Sequence, residues 1–355
     1  MKTRSHVAPG ALVLAVVVLT LAVATAAEAK DRKKKPGADP YADYVWPPPP
    51  DKPRIKLEAV IAGRADVEGE SKLAKALIGV SPKTPWDDLH KPFAVAFDPQ
   101  GRILVTDSGS GALLRFDLAA RKVDALGTSG AQPLRQPLGL DVGPDGTAYV
   151  ADVGQAKVLA LDPEGKLLAV YGQPGELVNP TDAALSPDGK RLFVADSKAN
   201  RVVIFDAASG TRLGDFGKAG AGPGEFSFPT SLAFGPEGDL FVVDQLNCRV
   251  QVLSADGEFR DQFGGQGTGV GKFVRPKDVA VDEEGLIYVT DTAFNNVQIF
   301  APDFLPLTFV GSGGETPGRF LGASGVGVSG DRFAVVDQLG HRLQVFRFVV
   351  SKTAQ

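Results

Sequence analysis

From Arg54 onward the chain alternates short apolar runs with turns rich in Gly, Pro and acidic residues. The clearest stretch, Phe228 to Gly264, reads as four strands. Ser231 to Phe234 is a small apolar run, and GPEG (Gly235 to Gly238) turns the chain. Leu240 to Asp244 is β-branched and aromatic, and it ends in Asp. Arg249 to Leu253 alternates apolar with polar, SADG (Ser254 to Gly257) turns again, and EFRDQFG closes the unit. A unit this small cannot bury both faces of its own sheet. It needs neighbours of its own kind.

The strand-ending Asp recurs as Asp107, Asp152, Asp196, Asp244, Asp291 and Asp337, at steps of 45, 44, 48, 47 and 46 residues. Pro92, Pro137, Pro180, Pro229 and Pro276 open five units, and Ala323 opens the sixth. Four strands at this period predict an all-β chain folded as a six-bladed β-propeller. The sixth unit stops at Leu343–Phe348 without a fourth strand. Units one to five close on Gly127, Gly172, Gly217, Gly264 and Gly311, and an orphan segment before the first unit closes the same way on Gly63. Arg54 to Ile61 is therefore expected to complete the last blade and close the ring, which removes the exposed sheet edges of an open array.

These residues carry a resemblance. Ser197-Lys198-Ala199-Asn200-Arg201-Val202 and Gln245-Leu246-Asn247-Cys248-Arg249-Val250 are similar to the NHL repeat, and the likeness runs from about Pro92 to Phe348. The first unit departs from it at Gly111-Ala112. The resemblance implies the propeller fold, and it leaves function open because NHL propellers include enzymes, RNA-binding proteins, sensors and scaffolds. The stretch from Trp46 to Ile55 resembles the leader of exported bacterial NHL proteins, some of which accompany multihaem cytochromes. That makes an electron-transfer cytochrome assembly one candidate partner.

Composition narrows the classes. A net charge of −4 argues against a nucleic-acid surface. Cys248 is the only cysteine, which excludes an internal disulfide and a Cys-rich metal site. Residues 1–29 read as a signal peptide, with Lys2 and Arg4 ahead of an apolar run and small residues before Lys30. The cluster Lys30, Arg32, Lys33, Lys34 and Lys35 also fits an uncleaved anchor over residues 11–27. The expected location is periplasmic or extracellular, with membrane contact only through such an anchor. Residues 30–53 read as a basic and then Pro-rich linker, stiffened by Pro47 to Pro50. Residues 54–350 form the propeller: 54–63 the closing strand, 64–90 an insertion loop, 91–348 the repeats. Residues 351–355 are a tail.

Candidate chemistry concentrates at two places. The connection from Gly63 to Pro92 is the longest in the ring, and long loops on rigid scaffolds collect function. Within it, Ser71 to Ile78 fits two turns of amphipathic helix with Leu73 and Leu77 on one face and Lys72 on the other. It reads as a lid over the channel or as a partner contact, and Trp86 and His90 follow it. The second place is the third position of each innermost strand: Ala94, Gly139, Asp182, Ser231, Asp278 and Gly325. Asp182, Ser231 and Asp278 supply oxygen donors suited to Ca²⁺ or another divalent cation, and they equally fit solvated acids or a pairing with Lys277 beside Asp278. His90 and His341 fall on neighbouring units, too few for the three-His zinc site that the resemblance to amide lyases would imply. The six strand-ending Asp residues occur in every unit and read as structural acceptors for backbone N–H groups of the following turn, with Lys157, Arg201, Arg249 and Arg342 pairing nearby. Gly264 to Gly269 reads as turn glycines, because no helix follows to hold a phosphate.

The function expected from these features is a non-enzymatic binding or scaffolding propeller, engaging a protein or cell-envelope component through its loop face and channel mouth. The alternative is a cation-dependent hydrolase or lyase of the lactonase-like type acting at that mouth. The two differ in the number of ligands they bring to one point.

Overall fold

The computed structural model describes residues 39–69 and 83–349. Its body is a ring of six antiparallel sheets; in blades one to five the strands run in chain order from the channel outward, and in blade six the outer two come from the start of the chain. The innermost strands of blades one to six are Pro92–Phe97, Pro137–Val142, Pro180–Leu185, Pro229–Phe234, Pro276–Val281 and Ala323–Ser329. Each packs beside the next, and blade six packs beside blade one. The second strand of every blade is apolar on both faces because other blades cover both. The core accordingly lies in six layers, one between each pair of adjacent blades.

Closure follows the expected route. Strand β1 (Val45–Trp46) and strand β2 (Ile55–Ile61) form the outer part of blade six, and β2 pairs antiparallel with Arg342–Phe348 from Ile55↔Phe348 to Ile61↔Leu343. Ile55, Leu57 and Ile61 are buried by that pairing. Glu58 adds a polar lock: its carboxylate takes Arg332 Nε at 2.8 Å and also meets the Arg347 guanidinium. Partial burial works against its charge, but these two arginines outweigh it and hold the acid below the usual carboxylate range.

The proline run differs from expectation. Pro47 to Pro50 is not a stiff spacer outside the ring; the chain reverses there, and Arg54 N–H donates to Trp46 C=O at 2.7 Å. This brings Val45 opposite Lys56 and makes β1 a fifth strand, so the propeller begins before Arg54. The aromatic side chains ahead of the prolines explain the preference. Trp46 stands edge-on to Phe346 at 5.4 Å, and Tyr41 and Tyr44 pack on the same apolar layer. Burying three half-covered rings outweighs the solvation of an extended linker.

The strand-ending aspartates are buried in all six blades. Their main donors lie in the connection that enters the blade, and donors in the turn after the strand are added in some. Asp244 accepts from Ser227 N–H at 2.6 Å, and Asp337 accepts from Leu321 and Gly322 N–H at 2.8 and 3.0 Å. Arg201, Arg249 and Arg342 pair with the aspartate five residues earlier, as the spacing suggested. In blade two, Gln155 rather than Lys157 donates to Asp152, at 2.9 Å.

The closing glycines have a steric reason. Gly264 has φ of 96°, and a Cβ there would lie 2.4 Å from the Phe273 ring. The ring, fully buried, plugs the layer beneath the connection, and Phe226 and Phe320 do the same under Gly217 and Gly311. Reading this run as turn glycines agrees with that geometry.

The insertion enters the ring wall. Helix α1 (Arg64–Glu68) lies on the outermost strand of blade one, where Glu68 accepts from Val123 N–H at 2.7 Å and Arg64 donates to Val123 C=O at 2.8 Å. The helix thus satisfies backbone groups on an edge strand that would otherwise face water. The amphipathic stretch carrying Lys72, Leu73 and Leu77 lies outside the described residues.

Candidate functional site: the channel and its lower funnel

An innermost strand has a second edge, facing the channel and the next blade, whose backbone groups no fourth strand can reach. Side chains from neighbouring blades supply the partners. Hydroxyls do so at five of the six junctions: Thr106 bonds Leu138 C=O, Ser197 bonds Pro229 C=O, Thr230 bonds Lys277 C=O, Thr290 bonds Ser324 C=O, and Ser324 bonds Phe93 C=O. Carboxylates take backbone N–H groups at three. Asp141 accepts from Leu185 N–H at 2.7 Å, Asp182 from Leu232 N–H at 2.9 Å, and Asp278 from Val326 N–H at 2.7 Å. Buried backbone donors have to be paired, and these residues pair them.

Asp182, Ser231 and Asp278 do converge. Ser231 Oγ donates to Asp278 Oδ1 at 2.5 Å while accepting from Val279 N–H at 3.2 Å. Asp182 is 6% exposed and sits where Gly139 leaves room, since a Cβ on Gly139 would lie 2.1 Å from its Oδ1. Asp278 keeps some contact with channel solvent, yet protein surrounds its carboxyl closely enough to make the charge costly. Desolvation pushes Asp278 up to about 6 against the opposing hydrogen bond from Ser231. Desolvation also raises Asp182 well above its ordinary value, with the Asp278 charge adding to it, and burial raises Asp141.

The sequence offered a divalent metal ion here as one of its readings, and the residues do not fit one. Ser231 turns its proton to Asp278 and its lone pair to Val279, and Asp278 already accepts at both oxygens. Among the described residues no group of three or more His, Cys, Asp or Glu is placed to hold a metal ion. Two acids and a committed hydroxyl fall short of the six to eight oxygens Ca²⁺ prefers.

The channel is asymmetric. At its upper end, where the connections into each blade lie, the gap among Phe93, Thr230, Lys277 and Ser324 is only about 10 Å³. Lys277 reaches past blade six and places Nζ 4.5 Å from the centre of the Phe93 ring. Blade six stands between the blades that carry these two residues, so the contact bridges blades five and one in front of its innermost strand. Desolvation lowers the Lys277 ammonium below its usual range, and Asp278 only partly opposes this. No ion pair closes between Lys277 and Asp278. Below this plug the channel widens to a cavity of about 490 Å³ that opens between the turns joining strands one and two. Asp141, Asp182 and Asp278 line it with Leu185, Phe234 and Val326. The roomy end is therefore opposite to the loop face on which the sequence centred the contact.

The remaining predicted residues lie elsewhere. Trp86 packs on the apolar layer between blades six and one, a half-buried core residue more than a contact. His90 and His341 do meet at the upper rim, but as a ring against a main chain: His341 Nδ1 lies 2.5 Å from His90 C=O. Asp141 was missed because it occupies the fifth position of its strand, not the third. Its signal was being the only titratable residue in Pro137–Val142.

The buried acids predict a pH dependence. A carboxyl whose pKa is raised by folding holds its proton longer in the native state than in the unfolded chain. Its contribution is fully favourable below about pH 4 and is lost as pH rises through about 6. Acids held low, such as Glu58, complete their opposite effect by about pH 4.5. Unfolding free energy of the Asp182→Asn/Asp278→Asn variant, relative to the native chain, should therefore grow by about 2 kcal/mol between pH 4 and pH 7. A flat difference in urea unfolding at the two pH values would show that neither acid is shifted.

Comparison with known proteins fits this geometry. Residues 235–305, spanning parts of blades four and five, match the DUF5128 family, described as a 6-bladed beta-propeller. NHL repeat-containing protein 3 of Homo sapiens is 28% identical over 188 residues, covering 48% of this chain and 53% of that protein. The chain is an NHL-type six-bladed propeller. The peptidylglycine alpha-amidating monooxygenase of Rattus norvegicus is 35% identical to this propeller over 147 residues, 38% of the chain. The match spans only 15% of the monooxygenase's length. Among solved structures, a gluconolactonase from Xanthomonas campestris superposes with a TM-score of 0.56 at 17% identity, covering 82% of this chain and 98% of that one. At that identity the likeness concerns the fold.

Proposed function

We propose that this NHL propeller is an exported, non-enzymatic binding protein, and that the lower funnel is where it holds its ligand or a protruding group of its partner. The observation that carries the reading is a cavity of about 490 Å³ on whose wall Asp141, Asp182 and Asp278 are each held by a backbone N–H of the next blade. A cavity of this size, with apolar side chains beside a few fixed polar groups, suits recognition. Catalysis asks for a nucleophile beside a base, or a metal. The two described histidines stand at the upper rim, and Cys248 donates to Val274 C=O at 3.3 Å with its thiol raised by burial.

The second reading is a hydrolase or lyase. What favours it is similarity to proteins named for amidating and lactonase chemistry, together with an Asp278 poised near neutral pH, a general-acid property. A thermal-shift screen of metabolites and short peptides, run beside hydrolysis assays on lactones, esters and α-hydroxyglycine peptides, separates the two. Stabilisation without turnover supports binding. Turnover that Asp182→Asn or Asp278→Asn removes by a hundredfold or more overturns it.

A further inference from the structure

Neutral hydroxyls tie the carbonyls at five junctions, and Ser231 Oγ also accepts the Val279 N–H of the next blade, so an inner-edge donor can be paired without a carboxylate. Asp141, Asp182 and Asp278 nevertheless place three carboxylates on the wall of one cavity. The innermost strands of blades one, four and six carry no titratable residue, and blade five adds only Lys277, whose ammonium is drawn up to Phe93 and does not line the funnel. Among the described residues no Lys or Arg forms an ion pair with any of the three. Asp182 is the decisive group. It is more than nine-tenths buried, it lines the cavity, and its one described cross-blade donor is a backbone N–H. Carboxylates desolvated without a counter-ion are costly, and a bound cation would relieve that cost.

We infer that the lower funnel binds an organic cation, a primary ammonium or guanidinium group on a short apolar stem, with the charged end between Asp182 and Asp278. This rests on the binding reading above and names its ligand class. An organic cation fits better than a metal ion, because the acids do not form a cage and Leu185, Phe234 and Val326 offer apolar surface to a stem. The turns at the rim extend the negative field through Asp145, Glu237 and Glu283 of blades two, four and five, while Asp188 of blade three is paired with Lys190. Such a field concentrates cations at the mouth. Binding competes with protons for Asp182 and Asp278, so affinity rises with pH.

Calorimetric titration of the purified chain with agmatine and spermidine, at pH 5 and pH 8, tests this. The neutral analogue 1,5-pentanediol and the dianion glutarate serve as comparisons. One of the amines should bind at least tenfold tighter at pH 8, and Asp182→Asn or Asp278→Asn should weaken it at least tenfold. Ala96→Leu, which narrows the funnel without touching a charge, should weaken it too and stands as the test if the Asn variants fold poorly. No binding of either amine at pH 8, or amine binding indifferent to all three variants, overturns the inference. If the diol or glutarate binds in an Ala96-dependent way and the amines do not, the funnel still binds ligands and only the cation assignment falls.

Discussion

A chain shortened to begin at Ala62 should fail to fold cooperatively, whereas one beginning at Arg54 should fold with reduced stability. The longer deletion removes β2, and with it Ile55, Leu57 and Ile61, all within 2% of full burial. Each such side chain contributes about 1.5–3 kcal/mol. Both the Arg342–Phe348 strand and the apolar layers on either side of blade six then open to water. Against a total stability of about 5–15 kcal/mol, that loss consumes most of what holds the ring. The exposed edge also invites association between chains. The shorter deletion removes only the half-buried cover of Tyr41, Tyr44 and Trp46 and leaves ring closure in place. Its cost should be about 2–4 kcal/mol, the range of burying a large side chain or two. Urea unfolding beside size-exclusion chromatography distinguishes the outcomes. A cooperative, monomeric transition for the chain beginning at Ala62 would mean that β2 does not close the ring.

Asp244→Ala should cost about 3–5 kcal/mol, the usual penalty for breaking a buried ion pair by removing one partner. The carboxylate of Asp244 is completely buried and receives Ser227 N–H, Asn247 Nδ2, Arg249 Nε and Gln251 Nε2. Its removal strands the Arg249 guanidinium, which is only 8% exposed, together with a backbone donor in the entering connection. Arg249 also holds Gly222 and Glu225 C=O at 2.9 and 3.0 Å, so the connection loosens as a unit. Asp152→Ala is the informative comparison. Asp152 accepts from Arg135 and Gln136 N–H and from the neutral Gln155, so no buried cation is abandoned there. Its cost should be lower by about 1–2 kcal/mol, the difference between charged and neutral hydrogen bonds. Equal costs in urea unfolding would show that the arginine adds nothing beyond the backbone bonds.

Much of this was legible along the chain. The period of the strand-ending aspartates and the doublet of turns per unit leave no other way to bury so many short two-faced strands, so six blades follow from spacing. The shared closing glycine revealed which distant segment completes the last sheet. Even the convergence of Asp182 and Asp278 followed from counting positions after the opening proline, because equivalent residues of a ring face the same axis. What spacing could not supply was the use made of each group. Asp182 and Asp278 read as ligands or solvated acids, and the fold showed their oxygens committed to N–H groups of the next blade, contacts whose partners lie about fifty residues away. The proline run read as extended because prolines favour that state locally; tertiary burial of Tyr41, Tyr44 and Trp46 turned it into a fifth strand.

The sequence by itself determined the architecture, since repeat period and strand pattern are local properties copied six times. Only the tertiary structure decided the asymmetry of the channel. Lys277 and Phe93 are separated by a whole blade and by about half of the chain, and no local rule brings that ammonium onto that ring. That contact seals the upper end and leaves the acid-lined cavity open below. It exists only in the closed ring, which sets the innermost strands of blades five and one on either side of blade six.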